Sequence, residues 1–376
     1  MVSLGQQIAN SKNNNLNAIR LLLALSVILT HSFPLSLGDG YGGHAKIEPL
    51  NIWTHQQEQF GSVAVDLFFF ISGMLITASW LRSKSMQDFL MKRVLRIYPG
   101  FIAAVGLSGM IVLIFCPDFR HGIGQGISWS FQMLQDWLYL TYRSLDQKGI
   151  FENNPFTSIA NGSLWTIQTE FRCYLLVAVI GLFCCFKQRV LILLGAFIVF
   201  LAYSKSLLQG HDAAQLDRRF LTYFLFGTCA WLWRDRILFS KWLAFGFLIA
   251  LIAASQFKPW FSIILTAAGG YCTLWLGYGP RLAALEWTGS TDLSYGTYLY
   301  AWPVQQLVAM HESLRIPWIN FLIAAPVTLA LAWVSWHVVE KRFLAMKNFS
   351  RKDIDPGAEI QMAPALGGTV QSGLQN

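Results

Sequence analysis

Residues 19–37 read IRLLLALSVILTHSFPLSL, and this stretch decides the fold class. As a helix it extends 1.5 Å per residue, enough to cross about 30 Å of hydrocarbon. Further apolar runs follow at 61–81, 98–116, 164–186, 190–204, 220–233, 242–257, 259–278, 293–311 and 316–338. Ten spans of this kind use about 200 residues. A chain of 376 residues then has room for short loops and for no large soluble domain. The composition agrees, with 54% hydrophobic and 13% charged residues, against roughly 25% charged in soluble domains. The fold class expected is therefore an all-α integral membrane protein of about ten transmembrane helices with a polar intramembrane cavity.

Around this core the sequence is polar at both ends. Residues 1–16 are expected to form a flexible cytoplasmic arm, 17–345 the membrane domain, and 346–376 a disordered cytoplasmic tail rich in Gly, Pro and Gln. The stretch 127–142, ISWSFQMLQDWLYLTY, is too polar to span and reads as an interfacial or re-entrant helix. With the N-terminus inside, 18 of the 28 Lys and Arg residues fall on the inner side and 9 on the outer, with Arg172 inside a span. That bias predicts an N-in, C-in arrangement. The net charge of +8 is spread between the spans rather than gathered in a patch, which argues against a nucleic-acid partner. The six cysteines show no C-x-x-C spacing, and no metal site is expected. The first run carries Arg20 and lacks a small-residue cleavage site, so it reads as a retained span.

Charged groups inside hydrocarbon cost several kcal/mol and need a reason. Arg20 and His31 are eleven steps apart, about 1100° of helical rotation, which puts both on one face about 16 Å apart. For Arg20 alone a topology anchor is reason enough. The aligned pair points to function, with a guanidinium for a phosphate at the inner mouth and an imidazole farther in for proton transfer or acyl capture. Asp66, in GSVAVDLFFFISGMLI, either orients His31, lines the cavity or belongs to a structural ion pair. Ser72 and Gly73 in the same span suit close helix packing.

In SMQDFLMKRVLRIYPGF, Ser85 and Asp88 resemble a helix start, and Pro99 is expected to interrupt the register before the third span. Arg93 and Arg96 share a face, either against anionic lipid or as a phosphate clamp. Glu170 and Arg172, in NGSLWTIQTEFRCYLL, point to nearly opposite faces, and Glu170 is the better candidate for lining a cavity. The remaining histidines, at 44, 55, 121, 211, 311 and 337, have no metal-ligand spacing and read as structural or solvated.

These segments, in this order, resemble the acyltransferase-3 family of integral membrane acyltransferases. The resemblance rests on Arg20 with His31, on FFFISGMLI, and on Arg93, Arg96, Ile97 and Pro99. It continues through Ser163, Leu164, Trp165, Glu170, Tyr174 and Leu175, and ends with Ser294, Tyr295, Tyr298, Leu299 and Pro303. Many relatives carry a histidine where this chain has Ala301, which leaves the weight on His31. The resemblance implies O-acylation, usually O-acetylation, of a surface or lipid-linked glycan in a bacterial cytoplasmic membrane. Acyl-CoA is the donor substrate, and no permanently bound cofactor is implied.

On that reading Arg20, Arg93 and Arg96 hold the donor phosphates, and His31 acts as general base or takes the acyl group. Asp66 or Glu170 sets its tautomer or steadies the imidazolium, and Ser72, Tyr295 and Tyr298 line the substrate cavity. The competing reading of the same buried charges is a transporter or flippase for a lipid-linked sugar or small solute.

Overall fold

The computed structural model describes residues 2–11, 14–38, 47–116, 123–183, 185–209, 214–280, 288 and 291–346. The expected tail beyond residue 346, and His44, His121 and His211, lie outside them.

The described chain is helical throughout. Its helices are α1 (Leu4–Asn10), α2 (Leu16–Leu37), α3 (Pro49–Trp53), α4 (Phe60–Arg82), α5 (Met86–Phe115), α6 (Ile123–Tyr139) and α7 (Trp165–Leu182). They continue with α8 (Arg189–Gln209), α9 (Gln215–Leu232), α10 (Lys241–Ala254), α11 (Trp260–Tyr278), α12 (Ser294–Ala309), α13 (Pro317–Ser335) and α14 (Lys341–Ala345). A π turn, Trp336–Glu340, joins the last two. Strand-like pairing among the described residues is confined to isolated bridges such as Ser3 with Leu238.

Each of the ten apolar runs is helical, but six helices are long and apolar enough to cross a membrane: α2, α4, α5, α8, α11 and the run from α13 through α14. The others fall short for visible reasons. Helix α10 has 14 residues and α12 has 16. Helix α7 carries Glu170 and Arg172, and α9 opens with Asp217, Arg218 and Arg219.

Two expectations give way. The arm before α2 is not loose over residues 2–10. Ser3 and Gln6 form a reciprocal cap on α1, and Leu4 is buried. Backbone bonds run from Leu4 N to the Ile237 carbonyl (2.8 Å) and from Phe239 N to the Val2 carbonyl (2.9 Å). Pro99 does not break the helix either: α5 runs unbroken through it for 30 residues, capped by the Ser85 side chain on Asp88 N. At about 45 Å this helix outreaches the hydrocarbon, so one end stands clear of it.

The bundle has two distinct ends. At one, Asn15 Nδ2 donates to the carbonyls of Leu276 (2.9 Å) and Pro280 (3.1 Å). At the other, Thr30 Oγ1 donates to Glu48 (3.0 Å), and Gln57 Nε2 donates to the Ser255 carbonyl (3.1 Å). Glu48 also accepts from Asn51 N and Phe60 N, so a fully buried carboxylate pins the α2–α4 connection over the C-terminal end of α2. Its own titration is pushed up by that burial.

Helix α6 turns Ile127, Phe131, Leu134 and Leu138 outward and buries Trp129 and Asp136. Tyr98 of α5 donates to the Leu138 carbonyl (3.1 Å), and Gln168 of α7 to that of Tyr139 (2.9 Å). An apolar stripe facing away from the protein suits a helix lying in the membrane boundary.

The tightest crossing joins α4 to α9. A Cβ on Gly73 would overlap the Phe224 carbonyl, and one on Gly227 would overlap that of Phe70. Thr77 and Thr228 meet across the same seam at 3.1 Å. Gly73→Ala and Gly227→Ala should each destabilise by about 1–3 kcal/mol, read as a lower Tm in detergent. Gly195→Ala on α8, with open space around its Cβ, should leave Tm unchanged or raise it.

Candidate active site

At the end of the bundle where α2 begins, two of the three arginines singled out in the sequence converge. Arg20 of α2 meets Asp292 Oδ2 at 2.6 Å, and Arg96 of α5 meets the same oxygen at 2.5 Å. The other oxygen, Oδ1, accepts from the hydroxyl (2.5 Å) and amide (3.2 Å) of Ser294 at the start of α12. Burial alone would raise the Asp292 carboxyl, but the guanidiniums of Arg20 and Arg96 outweigh it and hold it well below the usual carboxylate range. Arg96 also approaches Glu340 (3.8 Å) and lies over the Tyr295 ring. Arg93 sits apart, donating to Ser79 Oγ (3.2 Å) and lying over the rings of Phe89 and Tyr174, and its buried Nε has no partner among the described residues.

The sequence reading missed Asp292 and Glu340. For Asp292 a signal was present, an acidic residue just before a helix start. Glu340, between Val339 and Lys341, carries no such signal.

Above the arginines lies a narrow cavity among α2, α4, α7 and α12, lined by Arg20, Phe68, Thr166, Glu170, Tyr295 and Tyr298. The cavity has a volume of about 50 Å³, room for a few waters. Glu170 accepts from Tyr174 Oη (2.5 Å) and Ser72 Oγ (3.2 Å). Tyr298 and Thr166 share a hydrogen bond of 2.7 Å between α12 and α7. Glu170, Ser72, Tyr295 and Tyr298 therefore gather at or beside one cavity, and Arg172 is exposed on the other side of α7.

His31 is buried and meets the edge of Trp302 at 4.9 Å and 74°. Trp302 is one turn beyond Tyr298 on α12, so His31 stands just past the cavity's walls rather than in them. Two contacts thus line α2 up with α12, Arg20 with Asp292 near the start of both helices and His31 with Trp302 farther along. The helices run in the same direction, side by side. Among the described residues no hydrogen bond reaches His31 Nδ1.

The carboxylates expected to orient that ring do other work. Asp66 is fully buried and paired with Arg219 of α9, at 2.8 and 2.6 Å. The same guanidinium holds Glu58 at 2.5 Å. Asp66 is therefore the structural ion pair of the alternatives above, because its side of α4 packs on α9. Glu170 is bound to Tyr174 and Ser72, not to the imidazole. Arg219 and Glu58 escaped notice because both stand near helix starts, where charge is unremarkable.

A family model described as an acyltransferase domain matches residues 13–337. The chain is 27% identical over 348 residues to an O-acetyl transferase of Shigella phage Sf6, covering 89% of this chain and 96% of that protein. It is 26% identical over 376 residues to nodulation protein 10 of Rhizobium leguminosarum bv. viciae, covering 90% and 95%. A Bacillus subtilis (strain 168) protein bearing the provisional name of a peptidoglycan O-acetyltransferase is 23% identical over 339 residues, covering 78% and 52%. No solved structure matches the chain.

Replacing Arg219 by Leu leaves two buried carboxylates without their cation, a loss of roughly 3–5 kcal/mol. Arg219→Leu should therefore abolish the monodisperse peak in detergent chromatography. Asp66→Asn, which keeps Glu58 on Arg219, should give folded protein of lower Tm that still transfers acyl groups.

Proposed function

The chain belongs to the acyltransferase-3 family, and from that premise we propose that it transfers an acetyl group from cytoplasmic acetyl-CoA to a hydroxyl of a surface or lipid-linked glycan. It is a multi-pass membrane acyltransferase. The donor, the acceptor, the ten-crossing N-in arrangement and a bacterial cytoplasmic membrane are the parts proposed. The observation that supports the reading is the pairing of α2 with α12, in which Arg20 meets Asp292 near the start of α12 and His31 meets Trp302 about three turns farther along.

A nucleotide thioester has many negative charges at one end and its reactive carbon at the other, joined by a long thin arm. Arg20 and Arg96 are the cations for the charged end, with Asp292 moving aside or sharing them, and Arg93 is one helical turn from Arg96. The arm enters between Tyr295 and Tyr298. The cavity is too small for it as it stands, so α12 and α7 part at the hydrogen bond between Tyr298 and Thr166. His31 takes the proton of the acceptor hydroxyl as the new C–O bond forms and the C–S bond breaks. That proton goes to the departing thiolate, and ester and thiol are the products.

Relatives named as O-acetyl transferases support ester formation, and one of those names specifies peptidoglycan. His31→Ala should lower transfer by about 10²–10⁴-fold with protein levels unchanged. Its cells should lack the O-acetyl resonance of the surface polysaccharide by NMR. Arg20→Gln and Arg96→Gln should each raise KM for acetyl-CoA, by about tenfold or more for a lost charge-assisted bond, with kcat less affected. A His31→Ala strain with normal O-acetylation would sink the assignment.

A further inference from the structure

A catalytic imidazole is usually held by a second group on its far nitrogen, and here that group is missing. His31 Nδ1 is buried without a partner among the described residues. What the ring does have is a wall. The edge-on indole of Trp302 stands 4.9 Å from it.

That indole is itself held from several directions. Its Nε1 donates to the Ile159 carbonyl (3.3 Å), and Phe156 meets it edge-on at 5.3 Å. Against its six-membered ring lies Gly162, where a Cβ would come within 2.9 Å of Trp302 Cζ2. No positive φ calls for glycine at 162. The reason for glycine is space: the backbone comes up flat against the indole and leaves it no room to retreat.

We propose that Trp302, packed against Gly162, is the positioning residue for His31. The indole sets by packing the ring orientation that a carboxylate sets elsewhere by hydrogen bonding. It leaves Nδ1 free to meet a polar group of the bound substrate. The inference rests on the reading of His31 as the base. Trp302 touches neither donor nor acceptor, and its effect passes through the imidazole. A shift on the ångström scale at a reacting group costs up to about a hundredfold in rate.

The test uses the full-length protein in lipid nanodiscs, acetyl-CoA as donor and membranes carrying the acceptor glycan, with release of CoA thiol as the readout. Trp302→Leu should lower kcat by about 10- to 100-fold and leave KM for acetyl-CoA within about twofold. The pH–rate limb that is absent from His31→Ala should be displaced in this variant. Trp302→Phe, which restores an aromatic edge, should recover most of kcat and return that limb toward its wild-type position. Gly162→Ala, which presses on the six-membered ring of the indole, should displace the limb without touching His31.

If His31→Ala is inactive while Trp302→Leu and Gly162→Ala keep wild-type kcat and pH profile, the positioning role is wrong and the base assignment stands. If Trp302→Leu does not fold, an unchanged profile in Gly162→Ala is enough to overturn the proposal. If His31→Ala retains activity, the underlying reading fails first.

Discussion

A guanidinium buried among apolar helices is costly unless a carboxylate or other polar group meets it, because an uncompensated charge there costs more than most packing returns. Two such pairings hold this bundle. Asp292 ties α2, α5 and the start of α12 through Arg20 and Arg96. Arg219 ties α9 to α4 through Asp66 and to the segment just before α4 through Glu58. One cluster stands at each end, and the glycine seam of α4 and α9 runs from the second into the core. Displacing any one helix would strand a charge on another.

The Asp292 cluster also fixes how α2 and α12 lie against each other. With Arg20 tied to Asp292 and His31 set against Trp302, α2 and α12 stay in step over about three turns. A pair of guanidiniums and a buried imidazole are thereby separated along one ridge, with Tyr295, Tyr298 and Glu170 between them. A donor that is anionic at one end and reactive at the other matches this separation. The opposite end is held by polar packing of a different kind: Glu48 holds the α2–α4 connection, and Gln306 bonds the carbonyls of Phe156 and Ile159 beside Trp302.

Much of this was legible in the residues. Apolar runs marked every long helix because hydrophobic burial is periodic and local, and α6 betrayed itself by polarity in an otherwise spanning length. The face shared by Arg20 and His31 followed from helical rotation alone. Spacing did not predict the partners. Asp66 was open to three readings, and only α9 packed against it decided for Arg219. Pro99 looked like a break, yet the helix passes through it. Ser3 and Gln6 cap α1 only because Leu4 finds a place against the chain after α9.

By itself, then, the sequence determined the class of protein, the helical faces and which side chains are too polar to face lipid, since each depends on neighbours a few residues away. Which carboxylate meets which guanidinium, how narrow the cavity is, and what stands beside His31 were decided by tertiary structure. Those contacts join residues some 150 to 270 positions apart, and no local periodicity records them. The free energy that selects them is the cost of leaving a buried charge alone, which exists only once the helices have packed.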